Sequence, residues 1–382
     1  MKKLKVGIVF GGKSGEHEVS LQSAKSVYEA LDKGKYEVVL IGIDKSGTWH
    51  IGAPATYILN ASDPKLIKLN TSSQAVTAIA TRGKTELISV SEGKKISDVD
   101  VFFPVTHGTF GEDGCLQGLL EFLDAAYVGA GVLGSAVGMD KDVMKRLLKE
   151  AGLPVGKFFA TTQKALSEKF LKDAIRALGF PIFVKPANLG SSVGISKAKD
   201  KQELVQAITN AFRYDTKIIL EEYIEGREIE CAVLGNENPI ASLPGEVIPS
   251  HEFYSYEAKY IDERGAKLDI PAKLSPEQIK EVQKLAIQVF KTLDCSGMGR
   301  VDFFLKPTRS TNSKSSSQTS SGQAGIFFVN EINTLPGFTK ISMYPKLWEA
   351  SGISYTELLG RLIQLALDKK VEKDRLKRTY EL

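Results

Sequence analysis

Apolar positions along the chain follow two periods, and their alternation lays out the architecture. Residues 5–10 are β-rich and end in the pair Gly11-Gly12, after which Leu21, Ala24, Val27 and Leu31 recur at helical spacing. A strand, a loop and a helix therefore open the chain. Residues 36–43 read as the next strand and 100–104 as another, before a loop from His107 to Gly114, which predicts an open α/β domain closing near Gly129. Between about His50 and Ser97 the chain is polar, with Thr and Ser throughout, and only short strands are expected there.

A helix is predicted over 140–151, with Val143, Met144, Leu147, Leu148 and Ala151 on one face and a stop at Gly152-Leu153-Pro154. A smaller α/β unit follows: a strand over 181–186, a loop over 187–194, a helix marked by Leu204, Ile208, Ala211 and Phe212, and a strand over 218–222. A third unit holds strands near 228–234, 299–305 and 326–333, a helix over about 276–293, and a helical tail with Leu358, Leu359, Leu362 and Ile363. The expected division of this α/β (α+β) chain is 1–129, 130–220 and 221–382. Within 306–325 a serine-rich run from Ser310 to Ser321 lacks any large apolar side chain and cannot repay the entropy of ordering. It reads as a flexible excursion joining two core strands.

Fifty Lys and Arg against forty-six Asp and Glu leave +4 on 382 residues, too little for a general nucleic-acid footprint. With 42% hydrophobic residues, wholesale disorder is excluded. The apolar run 6–10 is too short for a signal peptide or a membrane span, so a cytoplasmic protein with no membrane partner is expected. Cys115, Cys231 and Cys295 form neither a disulfide framework nor a CxxC pattern, and read as reduced and buried.

Two short motifs mislead. Gly7, Gly12, Lys13 and Ser14 spell a P-loop, but Ile8, Val9 and Phe10 after the first glycine are strand residues bound for a core, where amides cannot cradle phosphate. Gly129, Gly131 and Gly134 spell GxGxxG, yet the acidic residue about 20 positions on, Glu150, falls inside a helix and not at a strand end. Turn glycines with close backbone packing fit better.

Three constellations carry chemistry. From Val184 to Lys197 a strand, a loop of small residues and a return present glycine-freed amides, hydroxyls and Lys185, which suits a polyphosphate as well as it suits a plain hairpin tip with a solvated lysine. In the second, period two puts Arg300 and Asp302 on one side of their strand and Glu331 and Asn333 on one side of theirs. If the strands pair, two carboxylates meet. At about 4 Å they would repel by roughly 4 kcal/mol at an effective dielectric near 20, so a cation is expected between them. Oxygen ligands without His or Cys select Mg²⁺ or Mn²⁺, and few ligands leave room for substrate phosphates. In the third, Glu221 and Glu228 offer acceptors for a base amino group and ribose hydroxyls, though surface glutamates are common.

Seven stretches in order then resemble the D-alanine–D-alanine ligase family of the ATP-grasp superfamily: 11–20, His107-Gly108 through Gly114, Met139-Asp140-Lys141, the Lys185 loop, Glu257-Ala258-Lys259-Tyr260, 299–302 and 330–337. The resemblance runs from about residue 4 to 365. It implies a three-domain ATP-grasp fold that joins two D-alanines through an acyl phosphate, for peptidoglycan precursor synthesis. Lys141, Lys185 and Ser192 would meet the ATP phosphates. Glu221 would take the adenine amino group with Glu222, Tyr223 and Ile224 beside it, and Glu228 the ribose. Asp302, Glu331 and Asn333 would hold two Mg²⁺ (or Mn²⁺) ions. Arg300 and the Gly337 amide would stabilise the tetrahedral oxyanion. Glu16 would hold the first ammonium with His107 near it, Ser191, Lys259 and Tyr260 would close the site through a mobile loop within 253–265, and Ser342 would bind the second carboxylate. A homodimer is a family expectation.

For Glu16 the residues alone leave a helix-dipole role open. His107 on its own is equally a turn-packing residue. The sequence departs from the family in Glu222, where a lysine is common, in Leu335, where a small residue is common, and in the serine-rich insertion between the metal strands. The readings that compete with a dipeptide ligase are a ligase taking D-lactate or D-serine second, and an ATP-binding protein without catalysis.

Overall fold

The computed structural model describes residues 2–53, 56–60, 67–81, 83–190, 193–249, 266–308, 325–339 and 341–377. Three main sheets carry the fold. The first has seven strands in the order Lys95–Val99, Lys84–Ser89, Gln74–Thr81, Trp49–Gly52, Tyr36–Ile43, Leu4–Gly11 and Val101–Pro104. Leu4–Gly11 runs parallel to both its neighbours, with Val6 opposite Val38 on one side and Val101 on the other. Its residues from Val6 to Gly11 are all buried, as a parallel strand covered on both faces requires. The polar stretch expected to hold only short strands instead builds a three-strand meander on the sheet edge, with Gln74–Thr81 eight residues long. One face of this meander is open to water: along Lys84–Ser89 only alternate residues, Thr85, Leu87 and Ser89, are buried. Its strands thus need few apolar residues.

The second sheet is antiparallel, in the order Phe158–Thr162, Lys217–Glu222, Ile182–Pro186 and Ser196–Ala198. Helices Glu168–Leu178 and Lys201–Ala211, capped by the side chains of Ser167 and Asp200, cover it and enclose Ile182, Val184, Leu204, Ile208, Ile218 and Leu220. The third sheet orders Ala266–Asp269, Gly245–Pro249, Arg227–Gly235, Gly297–Pro307 and Gly325–Asn333, all antiparallel. Behind it lies helix Pro276–Thr292, opened by a capping box between Ser275 and Gln278.

Helix Lys141–Glu150 packs Met144 and Leu148 into the core of this third sheet, beside Val289, Phe290 and Phe303. Leu147, expected on the buried face, remains 39% exposed, and Lys145 takes the inward position. The first sheet and the third unit share one core. Val6, Ile8 and Phe10 join Met298, Leu335, Phe338, Tyr344, Trp348, Leu358 and Leu362 in it. The segments either side of the functional pocket are thereby held to one another.

The glycine motifs are packing devices. A Cβ on Gly7 would lie 2.9 Å from Val99 Cγ1, inside the first sheet. Gly131 precedes helix Val132–Met139, and a Cβ on Gly134 within it would lie 2.6 Å from the Asp294 carbonyl oxygen. Cys231 and Cys295 are buried as expected; Cys115 is exposed, because it opens the helix Cys115–Phe122 on its outer side. Gly134→Ala should lower stability by roughly 1–3 kcal/mol, overpacking against backbone outweighing alanine's better helix propensity. Chemical denaturation would measure this; an unchanged or higher midpoint would refute the close approach.

Candidate functional site

Two adjoining cavities lie where the three sheets meet. The larger, about 440 Å³, opens between the second and third sheets, and the smaller, about 110 Å³, lies against the first. Gly190, Glu230, Val247 and Glu331 line both.

In the larger cavity, strand register decides which side chains meet. Lys185 pairs with Ile219 and Phe183 with Glu221, so alternation turns Lys185 and Glu221 to one face. Glu221 is buried between two ammonium groups, Lys185 Nζ at 2.5 Å from one oxygen and Lys145 Nζ at 2.9 Å from the other. Burial alone would raise the Glu221 carboxyl, but the two lysines overcome it and hold it at about 2. For Lys145 burial prevails and lowers the ammonium, whereas Glu221 and Glu331 outweigh burial at Lys185 and raise it. Lys141, one helical turn before Lys145, donates to the Leu189 carbonyl at 2.8 Å and lies 3.4 Å from Glu331. The apolar walls are Phe183, Ile195, Tyr223, Ile224, Val247 and Phe303. Lysines and carboxylates share the lining with these apolar side chains, and a cavity of that size and mixed character can take a ligand such as a nucleotide.

The four residues 221–224 expected around an adenine all line this cavity, and the Glu222 carboxylate also accepts a hydrogen bond from the Lys157 amide at 2.7 Å. Glu228 lines the cavity on strand Arg227–Gly235, opposite Phe304 and Val247.

The third sheet supplies the carboxylates. Gly297–Pro307 and Gly325–Asn333 pair antiparallel with Asp302 opposite Glu331 and Arg300 opposite Asn333, and a bulge follows at Phe303. The insertion between them leaves this register in place. Arg300 grips Asp302 with two bonds of 2.7 Å and lies 2.9 Å from Glu230, while Asn333 Nδ2 donates to Asp302 at 3.0 Å. Among the described residues no three His, Cys, Asp or Glu side chains gather as a metal-ligand group. Two carboxylates and an amide are what the protein offers, a hard-oxygen set that fits Mg²⁺ or Mn²⁺ shared with phosphate oxygens.

The smaller cavity gathers Glu16, His107, Glu112, Glu230, Arg300, Gly337 and Ser342. Glu16 occupies the N-cap position of helix His17–Ala30, where the helix dipole favours a carboxylate, and it makes no side-chain capping bond there. It is buried and faces two glycines: a Cβ on Gly108 would lie 2.6 Å, and on Gly190 3.0 Å, from Glu16 Oε2. Glu112 accepts from the Gly108 amide at 2.9 Å, and burial followed by the Glu16 charge keeps its carboxyl well above the usual range. His107 is buried with both nitrogens engaged: Nδ1 donates to the Leu335 carbonyl at 3.1 Å and Nε2 accepts from the Ser23 hydroxyl at 3.0 Å. It braces the 335–338 loop to the first sheet, so the turn-packing alternative accounts for its bonds. Leu335 itself is in the core. Gly337 faces Ser342 so closely that a Cβ would lie 2.7 Å from its hydroxyl, which accepts from the Thr339 amide at 3.0 Å.

Ser191, Ser192, Lys259, Tyr260, the 253–265 span and residues 309–324 lie outside the described residues. Sequence reasoning assigned nothing to Lys145, Glu112 or Glu230. Lys145 had a signal in its i,i+4 spacing from Lys141, and Glu230 in its period-two spacing from Glu228. Glu112 stood inside a quoted motif with nothing local to mark it as buried.

Two family models match the chain, D-ala D-ala ligase N-terminus over residues 5–130 and D-ala D-ala ligase C-terminus over 147–364. A D-alanine–D-alanine ligase of Oceanobacillus iheyensis is 51% identical over 377 residues, covering 99% of this chain and 98% of the relative. The solved D-alanine-D-alanine ligase of Coxiella burnetii superposes with a TM-score of 0.82 at 38% identity, covering 98% of this chain and 97% of its own. The VanG D-Ala:D-Ser ligase of Enterococcus faecalis does so with 0.80 at 36% identity, covering 96% and 100%.

Burial lowers His107 from 6.5 to about 4, so the folded protein holds it neutral where an unfolded chain protonates it. Its contribution is complete above pH 6.5 and lost as pH falls toward 4, on the order of 3 kcal/mol. His107→Asn should be less stable at pH 7.5 and should lose that part of the pH dependence, read from denaturation at pH 7.5 and 4.5. An identical slope in both proteins would contradict the buried, neutral ring.

Proposed function

The chain belongs to the D-alanine–D-alanine ligase family, and on that premise we propose how its own residues perform the reaction. The enzyme is an ATP-dependent ligase with the ATP-grasp fold that joins two D-alanines for peptidoglycan precursor synthesis. The observation that carries the site assignment is the meeting of Asp302 and Glu331 with Lys141 and Lys185 in one cavity, Asn333 being bonded to Asp302, beside a pocket holding Arg300 and Gly337.

ATP lies in the larger cavity, its base between Phe183, Tyr223, Ile224 and Phe303, hydrogen-bonded to the 222–224 main chain with Glu221 near its amino group, and its ribose at Glu228. Lys141, Lys185 and Ser192 meet the phosphates. Asp302, Glu331 and Asn333 would hold two Mg²⁺ or Mn²⁺ ions, which would supply charge neutralisation on the phosphates. Phosphoryl transfer asks for positioning and charge compensation more than covalent help, and this wall provides both. The first D-alanine binds with its ammonium at Glu16 and its carboxylate toward the γ-phosphoryl group. Transfer gives an acyl phosphate. The second D-alanine, its carboxylate at Ser342, attacks the acyl carbon, phosphate leaves, and Arg300 with the Gly337 amide stabilises the tetrahedral oxyanion. Ser191, Lys259 and Tyr260 close the pocket, since water would hydrolyse an acyl phosphate. We assign His107 the part of a strut for this pocket.

A cytoplasmic location agrees with the ATP requirement, with free cysteines, and with the finding that no helix among the described residues is long and apolar enough to cross a membrane. A homodimer is supported by the exposed apolar side chains of Leu119 and Phe122 on helix Cys115–Phe122.

ADP release should require D-alanine. ADP formation indifferent to millimolar D-alanine would overturn the reading. Asp302→Ala should cut turnover on the order of 10³-fold with the fold intact, and unchanged kcat would remove Asp302 from the metal set. Product analysis with D-alanine mixed with D-serine or D-lactate should return D-alanyl-D-alanine; a predominant mixed product would favour the alternative second substrate.

A further inference from the structure

Lys145 is buried, charged and absent from the cavity wall, and the reaction as derived gives it nothing to do. It stands one turn after Lys141 on helix Lys141–Glu150, behind Glu221, which it reaches at 2.9 Å. The other oxygen of Glu221 takes Lys185 at 2.5 Å. A carboxylate placed against Lys185 alone would form a neutral pair, leaving that ammonium little attraction for an anion. With two ammoniums to one carboxylate the group carries +1, and Glu221 divides its hold between them.

We propose that Lys145 is a positioning residue for ATP: by taking half of the Glu221 carboxylate it keeps the Lys145–Glu221–Lys185 group at net positive charge and leaves Lys185 available to the triphosphate. The inference rests on the placement of ATP phosphates at Lys185. Lys145 acts on the phosphates through the charge balance behind the wall, without touching substrate. Its influence falls mainly on the polyphosphate, and it reaches the base only through Glu221.

The test is calorimetry of the full chain with Mg²⁺-tripolyphosphate, which reads the phosphate end, and with adenosine, which reads the base end. Lys145→Met should weaken tripolyphosphate binding roughly 10-fold or more, the effect of one unit charge lost near a polyanion in a partly dry site. Adenosine, which carries no phosphate and meets only Glu221 of this group, should lose at most about 2-fold. Glu221→Gln added to Lys145→Met returns the group to +1 and should restore most of the tripolyphosphate affinity. In turnover assays Lys145→Met should raise KM for ATP while leaving KM for D-alanine as it was, and Lys145→Arg should rescue ATP binding. Equal loss of both ligands, no loss of tripolyphosphate affinity, or a double variant no better than Lys145→Met would each overturn the proposal. If Lys145→Met does not fold, Lys145→Gln is read by the same criteria. A Lys185→Met protein with undiminished tripolyphosphate affinity would instead remove the placement of the phosphates at Lys185, a separate failure.

Discussion

The pairing of two strands of the third sheet in a register that sets Asp302 against Glu331 is the constraint on which the rest of the site depends. Opposed carboxylates are unfavourable unless charge of the other sign is close. The fold answers with Arg300, bonded twice to Asp302, and with Lys141, which reaches Glu331 from a helix that packs into the core of the same sheet. A one-residue slip of either strand would send Asp302 and Glu331 to opposite faces, and would turn Val301 or Ile332, both now buried, to the wet face. The hydrophobic alternation that buries Val301, Phe303, Phe327, Val329 and Ile332 therefore also fixes the register of the chemistry.

A second coupling follows from the shared core. Gly337 and Ser342 belong to a loop that is irregular, yet Leu335, Phe338 and Met343 around them are buried with residues of the first sheet. His107 and Ser23 complete the tie: the ring bonds the Leu335 carbonyl, and the Ser23 hydroxyl meets both the ring and the Phe338 amide. Glu16, fixed on the first sheet side through Ser14 and His107, is thus held relative to Gly337 by packing that runs through the middle of the molecule. Functional sites carried on loops need such anchorage, because a loop's own hydrogen bonds rarely define it.

Where apolar periodicity dictated the outcome, the sequence was legible. The central strands, the capped helices and the faces of Arg300, Asp302, Glu331 and Asn333 all follow from it. Where burial involves charge, it was not. Leu147 looked like the inward residue of its helix, but Lys145 turns inward because Glu221, far away in sequence, balances it. Glu222 lines the cavity and is also tied to the Lys157 amide, a contact with a distant segment that its own strand does not announce. The meander in the polar stretch was missed because a sheet edge with one wet face asks little of its residues in hydrophobicity. Glu112 carries no local signal at all; its environment is assembled from three separate segments.

Carboxylates outnumber cationic side chains on the walls of both cavities, so the placement of the cations, and not the sign of either wall, bears on the proposed substrates. In the larger one Lys185 lies against Glu221 and Lys141 near Glu331, so a triphosphate there would meet these two lysines and would need the proposed metal ions to offset the carboxylates. Around the smaller one, Glu16, Glu112, Glu230 and Glu331 face a single arginine among the described lining residues, Arg300. An amino acid entering there is a zwitterion. On the proposed reading its ammonium goes to the Glu16 end, beside Gly108 and Gly190, and its carboxylate to the boundary between the cavities, near Arg300, Lys141 and the proposed metal positions. That boundary is where a phosphoryl group entering from the larger cavity would arrive. On the proposed reaction, then, the cations gathered at that boundary bring acceptor oxygen and phosphorus together before any group acts as acid or base.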